Sequence, residues 1–416
     1  MSPAPHLAEL ELTYASPERA EEFLRASAHG FHQDYDTERM GPARAVFEPE
    51  RNFGYTVDGR WVSTCGAYTR TMTVPGGAVP VAAVTYVTVQ ASYRRRGLLN
   101  QMMRHQLDAL VEAGAEPVAL LWASEAGIYG RYGYGGATAE LSLTGPTQGM
   151  AFRPEVDLGS GSVGEVAVEE FRRVAEPLHA RLLADRPGGL DRPAVWWDAI
   201  LNDDPARRNG ESAYRFALHY DPSGRPDGYL SFRLGQRGGG DWGPGGTVRV
   251  VSLDAATAPG YARLWRFVLD LDLIRSFQAL GSPDEPLLHL LANVRAVTST
   301  VGDGTYVRIL DLPRALERRG YAAHVDLVLG VRDALLPQNA GSFRLQAGPD
   351  GVAVRRVSAE ADVELDVREL GAVYLGGTSP AVLHRAGLVT ERTAGAVPAL
   401  AAALVPARAP YCPDNF

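Results

Sequence analysis

Hydrophobic positions repeat with a period of two along some stretches of the chain and with a helical period along others. Two successive stretches, Val62 to Val74 and Val79 to Val89, are rich in β-branched residues and predict strands. The next stretch predicts a helix, because apolar residues recur at helical spacing until Gly114: Leu98, Leu99, Met102, Met103, Leu107, Leu110 and Val111. The run Pro117 to Trp122 predicts a further buried strand, so the order here is strand, turn, helix, strand.

The remaining patterns divide the chain into three segments. An edge strand near Leu10 and a helix from Pro17, with Ser16 as its N-cap, complete a first mixed α/β layer. The second segment repeats this order of elements but lacks the basic turn. Its predicted helices lie near Glu176 to Asp185, Arg192 to Leu201 and Pro259 to Phe277. Its predicted strands lie near Tyr214 to Tyr220, Gly228 to Leu234 and Thr247 to Asp254, with a hairpin loop from Gln236 to Gly246. The third segment predicts an α+β layer of strands at Ala323 to Val331, Ser342 to Ala347, Val352 to Val357 and Val363 to Asp366, followed by helices near Val367 to Tyr374, Ser379 to Ala386 and Ala394 to Leu404.

Domain boundaries follow from length and from turn-forming residues. A chain of 416 residues, 45% of them hydrophobic, is too long for one ordinary core. Stretches rich in glycine and proline, from Gly145 and from Gly159 to Ser162, indicate a link after the first segment. We therefore predict an α+β protein with domains at 1–147, 148–299 and 300–416.

The composition of the chain indicates which binding partners it disfavours and which cellular compartment to expect. The balance of 41 basic and 49 acidic residues, 41 − 49 = −8, disfavours nucleic acid and mildly favours cationic ligands. With only Cys65 and Cys412, no disulfide framework or cysteine-based zinc site is expected, and the histidines follow no metal-binding pattern. The N-terminal sequence lacks a secretory signal pattern and no apolar run is long enough to span a membrane, so we expect a cytoplasmic protein without membrane attachment.

The basic turn between the strand ending at Val89 and the helix opening at Leu98 predicts a site for a diphosphate. Gly97 lets the backbone approach a ligand, and the first turn of the helix presents amides that lack partners within the helix. Arg94, Arg95 and Arg96 add positive charge, although only one or two of them can face the phosphates. Neither the Walker pattern nor the three spaced glycines of a dinucleotide fingerprint is present.

This turn resembles motif A of the GCN5-related N-acetyltransferases (GNAT), which binds the pyrophosphate of coenzyme A. Leu99 stands where that family usually has a second small residue. The segment Ser124 to Gly135 and the aromatic C-terminal residue resemble the Eis (enhanced intracellular survival) acetyltransferases of actinobacteria, over almost the whole chain. The resemblance implies a GNAT domain, a degenerate central GNAT-like domain, a sterol-carrier-protein-like C-terminal domain, acetyl-CoA as acetyl donor and a homo-oligomer, a hexamer. It assigns cofactor binding to Val87, Val89, Arg94, Arg95, Arg96, Gly97, Leu98, Leu99 and Ser124.

Acetyl transfer needs an acid for the departing thiolate, and a tyrosine hydroxyl has a suitable pKa. By the resemblance this acid is Tyr129, whereas Tyr132 and Tyr134 are expected to pack a glycine-rich turn. Backbone amides near Val89 can hold the oxyanion if the strand splays or bulges there. Glu125 is expected to cap the helix that follows it.

The resemblance also implies that the carboxylate of the last residue, Phe416, serves as the base. Its tail, Ala409 to Phe416, contains two prolines and two aromatic residues that favour an ordered end. Asp34, Asp36 and Glu38 are candidate ligands of a cationic substrate or else form a solvated acidic loop, and Asp303 is a further candidate through the family's matching segment.

The function expected from these residues is acetyl-CoA-dependent N-acetyl transfer to a primary amine of a cationic acceptor such as an aminoglycoside. Attack is expected to be direct, within a ternary complex, because no activated cysteine or serine motif is present. Two alternatives stay open at this point: a lipid or small-ligand carrier whose acetyltransferase-like part senses coenzyme A, and a protein lysine acetyltransferase.

Overall fold

The structure is a computed structural model that describes residues 10–36, 41–235 and 245–416. Most of the hairpin loop predicted from Gln236 to Gly246 lies outside the described residues, as does Glu38. The described residues form three β-sheets.

The first stretch of the chain builds a mixed α/β layer, as predicted. Its strands are β1 (Glu11–Tyr14), β2 (Asn52–Val57), β3 (Arg60–Trp61), β4 (Ser63–Val74), β5 (Gly77–Val89), β6 (Val118–Trp122) and β7 (Gly135–Gly136), and its helices are α1 (Ala20–Gly30), α2 (Gly41–Ala45), α3 (Leu98–Ala113) and α4 (Ala126–Tyr129). A short 3₁₀ turn, Pro17–Arg19, precedes α1. The strand near Leu10 is therefore confirmed, whereas the α-helix begins at Ala20 and not at Pro17.

In the first sheet β5 and β6 are parallel neighbours, joined by the crossover helix α3. The strand order is β1-β2-β4-β5-β6-β15-β7, where β15 is Thr305–Ile309 from a later stretch of the chain, and β3 pairs with β2. The predicted apolar stripe of α3 is buried, with Met102, Met103 and Leu107 packed against residues of β5 and β6. Burial of this stripe fixes where the turn before α3 lies relative to the ends of the two strands.

The second stretch forms its own sheet. Its strands are β8 (Ala139–Pro146), β9 (Ser162–Val166), β10 (Arg215–Tyr220), β11 (Pro226–Gly235), β12 (Gly246–Ala255), β13 (Ile274–Gly281) and β14 (Thr298–Asp303), and its helices are α5 (Val168–Leu183), α6 (Ala194–Ile200), α7 (Ala258–Leu269) and α8 (Leu287–Leu290). The strand order is β14-β8-β13-β12-β11-β10-β9. Here β12 and β13 are parallel neighbours joined by the helix α7, which repeats the connection of β5, α3 and β6.

The helix predicted from Pro259 to Phe277 is wrong in its second half. The α-helix ends at Leu269, Leu273 adopts a positive φ of 65°, and the chain continues as β13 from Ile274. From Phe277 onward the residues of β13 alternate between buried and exposed, which is a strand period. The apolar residues on either side of the turn happen to continue the helical spacing, and this concealed the break.

The third stretch contains the four predicted strands and the three predicted helices. It also has elements that were not predicted: a strand and a helix before them and a strand between the last two helices. Its strands are β15 (Thr305–Ile309), β16 (Val325–Arg332), β17 (Gly341–Gly348), β18 (Gly351–Val357), β19 (Val363–Asp366) and β20 (Val389–Glu391), and its helices are α9 (Leu312–Glu317), α10 (Val367–Val373), α11 (Pro380–Arg385) and α12 (Ala396–Leu404). The third sheet has the order β18-β17-β16-β19-β20, while β15 lies between β6 and β7 of the first sheet.

Contacts divide the chain into two compact units. The first contains the described residues up to Thr138, together with Gly304–Ala407 and Asp414–Phe416, and the second contains Ala139–Asp303 and Arg408–Pro413. The boundaries near 147 and 299 remain a proposal about domain organisation. Within the first unit, α10 packs on β15 and β7.

Candidate acetyl-transfer site

The parallel strands β5 and β6 separate at one end of the first sheet. Their pairing runs from Val81 opposite Val118 to Val84 opposite Leu121, and beyond Val84 the described partner of β5 is β4 alone. The register of β4 and β5 shifts between Thr64 and Gly66, where β5 contributes an extra residue. The two strand ends therefore form the sides of a cleft.

Tyr86 lies at this β-bulge with a positive φ of 56°. A bulky residue in the left-handed region is strained, and such strain is common at functional sites. Its hydroxyl is hydrogen-bonded to that of Tyr68, and burial raises the pKa of Tyr86 to about 12. The sequence analysis placed a possible bulge near Val89; the structure has it at Tyr86, and no sequence signal identified that residue.

The cleft opens into a cavity of about 470 Å³. Its walls come from α1 and the residues after it, from the diverging ends of β5 and β6, from α4 and from the end of the chain. The lining residues used below are Phe31, Tyr86, Val87, Trp122, Ser124, Tyr129 and Phe416. Aromatic side chains make up much of this lining, so the cavity combines an apolar wall with a few polar groups.

Tyr129 ends α4 and is buried, with 8% of its surface exposed. Burial raises the pKa of its hydroxyl well above the ordinary value, and the nearby Cys65, Tyr132 and Glu125 act in the same direction. The hydroxyl therefore stays protonated at neutral pH and is a hydrogen-bond donor.

Tyr132 and Tyr134 are also almost fully buried, at 1% exposure each, and belong to the core beneath α3. Neither of them lines the cavity. Glu125 is the N-cap residue of α4, as expected, but its exposed side chain makes no capping hydrogen bond.

The C-terminal residue lines the same cavity as Tyr129. The indole Nε1 of Trp122, at the end of β6, donates a hydrogen bond of 2.8 Å to the backbone oxygen of Asp414. Asp414 is buried, and Phe416 is half-buried two residues further on. Trp122 was noted in the sequence only as the last residue of a strand, so its contact with the tail was missed.

The turn before α3 has the backbone geometry of an open anion site. Gly97 is the N-cap with a φ of 83°, and Arg95 also has a positive φ, of 62°. The first described hydrogen bond into the helix is from the N–H of Gln101 to the oxygen of Gly97. Among the described residues no partner is recorded for the N–H groups of Leu98 and Leu99, which are free to bind phosphate oxygens.

The three arginines of the turn have different surroundings. Arg94 is exposed, and its Nε donates a hydrogen bond of 3.1 Å to the backbone oxygen of Val89. The guanidinium of Arg96 lies over the ring of Tyr93, at 5.2 Å from its centre. Like Arg94 and Arg96, Arg95 is exposed, and it differs from them in occupying the left-handed backbone position.

The other residues assigned to cofactor binding are distributed between the turn and the cavity. Val87 and Ser124 line the cavity, on β5 and just after β6. The side chain of Leu98 is buried, so only its backbone can contact a ligand, and Leu99 packs partly against the core of the sheet.

The acidic candidates are not among the residues that line the cavity. Asp34 is exposed and Asp36 half-buried, both in the segment after α1, whose Phe31 and Gln33 do line it. Asp303 is exposed at the end of β14, in the second unit.

Within residues 10–36, 41–235 and 245–416, no three His, Cys, Asp or Glu side chains are grouped so that they could hold a metal ion. In the same ranges no helix is long and apolar enough to cross a membrane.

In the second unit the turn before α7 differs from the turn before α3. The hydroxyl of Thr257, the N-cap, accepts a 3.2 Å hydrogen bond from the N–H of Gly260, and Pro259 has no N–H to offer. The Thr257 hydroxyl also donates to the carboxylate of Asp227 at 2.8 Å. A carboxylate of the protein thus lies at the start of α7, where its negative charge disfavours a phosphate.

Fold and site define a GNAT-type acetyltransferase. Two stretches of the chain, residues 11–137 and 188–309, match models of the acetyltransferase (GNAT) domain, and residues 312–413 match the sterol carrier protein domain. More narrowly, the chain belongs to the Eis family of N-acetyltransferases.

Individual relatives support this assignment. An uncharacterised N-acetyltransferase of Streptomyces avermitilis is 38% identical over 378 residues, which are 90% of this chain and 91% of the relative. The N-acetyltransferase Eis of Mycobacterium tuberculosis is 37% identical over 323 residues, 76% of each chain. The crystal structure of Eis1 from Mycobacterium abscessus superimposes with a TM-score of 0.83 at 30% identity, covering 98% of this chain and 100% of that one.

Proposed function

We propose that this enzyme transfers the acetyl group of acetyl-CoA directly to a primary amine of a cationic acceptor, and that aminoglycosides belong to its acceptor class. The observation that carries the proposal is one cavity, at the divergence of β5 and β6, lined by both Tyr129 and the C-terminal residue Phe416. A hydroxyl that stays protonated and a free carboxylate are the acid and the base that amide formation needs.

The residues of the turn fit the diphosphate of acetyl-CoA. The N–H groups of Leu98 and Leu99 and the positive end of α3 suit its negative charge, and Arg95 adds a guanidinium. The bound donor supplies the thioester to be cleaved, while Val87 and Ser124 are proposed to line its path into the cavity.

The carboxylate of Phe416 is proposed to bind the acceptor ammonium and to take its proton, in part through water. An α-carboxyl group has a pKa of about 3.5 in water and is a weak base there. Aromatic residues line the cavity beside Phe416, and a carboxylate with little solvent around it attracts an ammonium more strongly than one in water.

Tyr129 is proposed to act on the departing sulfur. Its hydroxyl stays protonated because burial raises its pKa, so it donates a hydrogen bond to the developing thiolate and then its proton. In the same step, backbone amides at the bulge around Tyr86 and Val87 are proposed to hold the oxyanion.

Direct attack by the amine is favoured because the cysteine near Tyr129, Cys65, is not a suitable nucleophile. Cys65 is completely buried in β4, and burial raises the pKa of its thiol well above the ordinary range. A thiol that neither ionises nor meets solvent is a poor nucleophile, so a covalent acetyl-cysteine intermediate is disfavoured.

The proposal of a cationic acceptor is based on negative charge near the cavity. Asp34 and Asp36 follow the end of α1, whose neighbouring Phe31 and Gln33 line the cavity, and we propose that they attract a polycationic acceptor. Asp303 is kept as a weaker candidate of the same kind. From the family we also propose a hexamer, which light scattering coupled to size exclusion tests.

The test is to incubate the enzyme with acetyl-CoA and a panel of amines and to follow free thiol. We expect amine-dependent thiol release, and deletion of Phe416 should reduce it by ~10²-fold or more while acetyl-CoA affinity is unchanged. Phe416→Leu is the matched control, because it keeps a terminal carboxylate at the same position. Full turnover after the deletion would reject the carboxylate role, and thiol release without any amine preference would reject the transfer function.

A further inference from the structure

The last part of the chain divides its contacts between the two units. Arg408–Pro413 belongs to the second unit, whereas Gly304–Ala407 before it and Asp414–Phe416 after it belong to the first. Residues 405–416, all within the described part of the chain, form neither a helix nor a strand, so no ladder of backbone hydrogen bonds holds them. The contacts that hold Arg408–Pro413 in the second unit therefore limit how far the end of the chain can move.

An ion pair of the second unit binds both backbone groups of Ala409. Arg186 follows α5 and Asp284 follows β13, and Nη1 of the arginine lies 2.7 Å from Oδ1 of the aspartate. The N–H of Ala409 donates to Oδ2 of Asp284 at 2.9 Å, and Nη1 of Arg186 donates to the oxygen of Ala409 at 3.0 Å. Hydrogen bonds to charged groups are stronger than those between neutral groups, so this pair is a firm attachment for a segment without secondary structure.

Further contacts follow along the segment. The N–H of Tyr411 donates to the backbone oxygen of Pro187 at 2.9 Å, and Pro410 and Cys412 are buried. Because proline fixes φ, a stretch that contains Pro410 and Pro413 has few backbone conformations. A hold at Ala409 therefore restricts the residues that follow it.

The held segment also lines the cleft of the second sheet. The parallel pairing of β12 and β13 ends at Val250 opposite Ala279, just as β5 and β6 separate in the first sheet. Residues of both strands beyond this pair line a cavity of about 390 Å³ together with Arg408, Tyr411 and Pro413. In this copy the end of the chain thus forms part of the cleft, and the carboxylate at the start of α7 disfavours a phosphate.

We propose that Arg186 and Asp284 are positioning residues for acetyl transfer: by holding Ala409 they keep the carboxylate of Phe416 in the cavity that Tyr129 lines. This inference rests on the role proposed for that carboxylate. The contacts of the ion pair with Ala409 lie inside the second unit, and one peptide bond joins the held segment to the three residues of the first unit. The second copy of the fold thereby serves the reaction of the first through the chain end.

Replacing Asp284 by Ala tests the hold by kinetics. It removes the acceptor of the Ala409 N–H at a partly exposed position, and the loss of a hydrogen bond of about 1 kcal/mol should lower kcat roughly fivefold. The affinity for acetyl-CoA should stay the same, because the turn before α3 is unaltered. Asp284→Asn keeps an oxygen for the N–H and should retain a kcat close to that of the wild type.

Asp270→Ala is the matched control. It removes a carboxylate that pairs with an arginine, Arg266, elsewhere in the second unit, and it should change neither kcat nor acetyl-CoA affinity. A decrease of kcat in Asp284→Ala no larger than in this control would overturn the proposal.

Digestion of the full chain by a carboxypeptidase measures the hold without any need for turnover. The protease removes Phe416 only while the chain end is out of its place, so the rate follows the population of that open state. Asp284→Ala should lose Phe416 about fivefold faster than the wild type and Asp270→Ala, as followed by intact-mass spectrometry. Equal rates in the three proteins would mean that Asp284 does not hold the tail.

Deletion of Phe416 separates this inference from the proposed function. In the chain that lacks Phe416, Asp284→Ala should have almost no further effect on turnover, since the group that it positions is gone. A further fivefold loss would mean that Asp284 acts by another route. Full turnover after the deletion alone would reject the carboxylate role and this inference with it, whereas a loss on deletion without any loss in Asp284→Ala would reject this inference alone.

Discussion

The indole Nε1 of Trp122 donates a hydrogen bond of 2.8 Å to the backbone oxygen of Asp414. The bond joins the end of β6 to the last three residues of the chain, which belong to the same compact unit. Chain ends fray unless they are held, and here a buried Asp414 and an indole hold the end beside the cavity that Tyr129 lines. We propose that Trp122 in this way positions the carboxylate of Phe416.

Replacing Trp122 by Phe removes the donor and keeps an aromatic ring. A neutral hydrogen bond contributes about 1 kcal/mol, so we expect kcat to fall roughly fivefold. Acetyl-CoA affinity should stay the same, because the turn before α3 is untouched. Steady-state kinetics and a separate binding titration measure the two quantities.

A double-mutant cycle shows whether Trp122 acts through the chain end. In the chain that lacks Phe416, Trp122→Phe should have almost no further effect, since the group that it positions is gone. If the two losses simply multiply, the indole acts by another route and the positioning role is wrong.

Tyr129→Phe should reduce kcat by ~10²-fold or more, because the leaving thiolate loses its acid. Tyr134→Phe is the matched control. Among the described residues the buried hydroxyl of Tyr134 has no hydrogen-bond partner, so removing it should leave turnover unchanged and stability equal or slightly higher. Equal loss in both variants would mean that the tyrosines matter for packing only.

The pH dependence of kcat provides an independent check on Tyr129. The proposed acid is active in its protonated form, and burial raises the pKa of Tyr129 above its ordinary value of 10. Its activity is therefore present at every pH below that raised value and is lost only as the pH rises through it. At saturating acceptor we expect no alkaline decrease of kcat up to about pH 10, whereas a free tyrosine would begin to ionise there.

Periodicity predicted most of the fold because burial follows it directly. The stripe of α3 and the alternating strands of the third sheet each have one buried face, and a buried face leaves a pattern. Two features of the fold left no such pattern in the sequence. The break after Leu269 depends on a left-handed turn at Leu273, and the bulge at Tyr86 depends on pairing with a distant strand.

The same distinction applies to the site. The turn before α3 is formed by residues that are adjacent in the chain, so the succession of a strand, a glycine and a helix was enough to predict it. The contact of Trp122 with Asp414 spans 292 residues and follows from tertiary packing alone. The hydrogen bond between Thr257 and Asp227 at the start of α7 likewise joins two residues that are distant in sequence, and neither residue alone predicts it.

Arg95 and Arg94 should differ in their effect on acetyl-CoA binding. Arg95→Ala should raise the acetyl-CoA KM about tenfold at low salt with little change in kcat, and added salt should shrink the difference. Arg94→Ala should cost less affinity, because its guanidinium is engaged with the oxygen of Val89. Arg153→Ala makes the same charge change at an exposed position in the second unit and should have no effect. A larger loss for Arg94 than for Arg95 would contradict this assignment.

Arg308 of β15 and Asp333, which follows β16, form a two-fold ion pair with both contacts at 2.8 Å, and their side chains are 0% and 1% exposed. Asp333 also accepts from the N–H groups of Leu335 and Leu336. Removing one partner leaves a buried charge, so Arg308→Met should lower the free energy of unfolding by ~3–5 kcal/mol. Adding Asp333→Asn removes that charge and keeps an oxygen for both N–H groups. Urea unfolding should therefore show the double variant to be more stable than Arg308→Met alone, and a double variant that is less stable would mean that the ion pair is not what the single substitution disrupts.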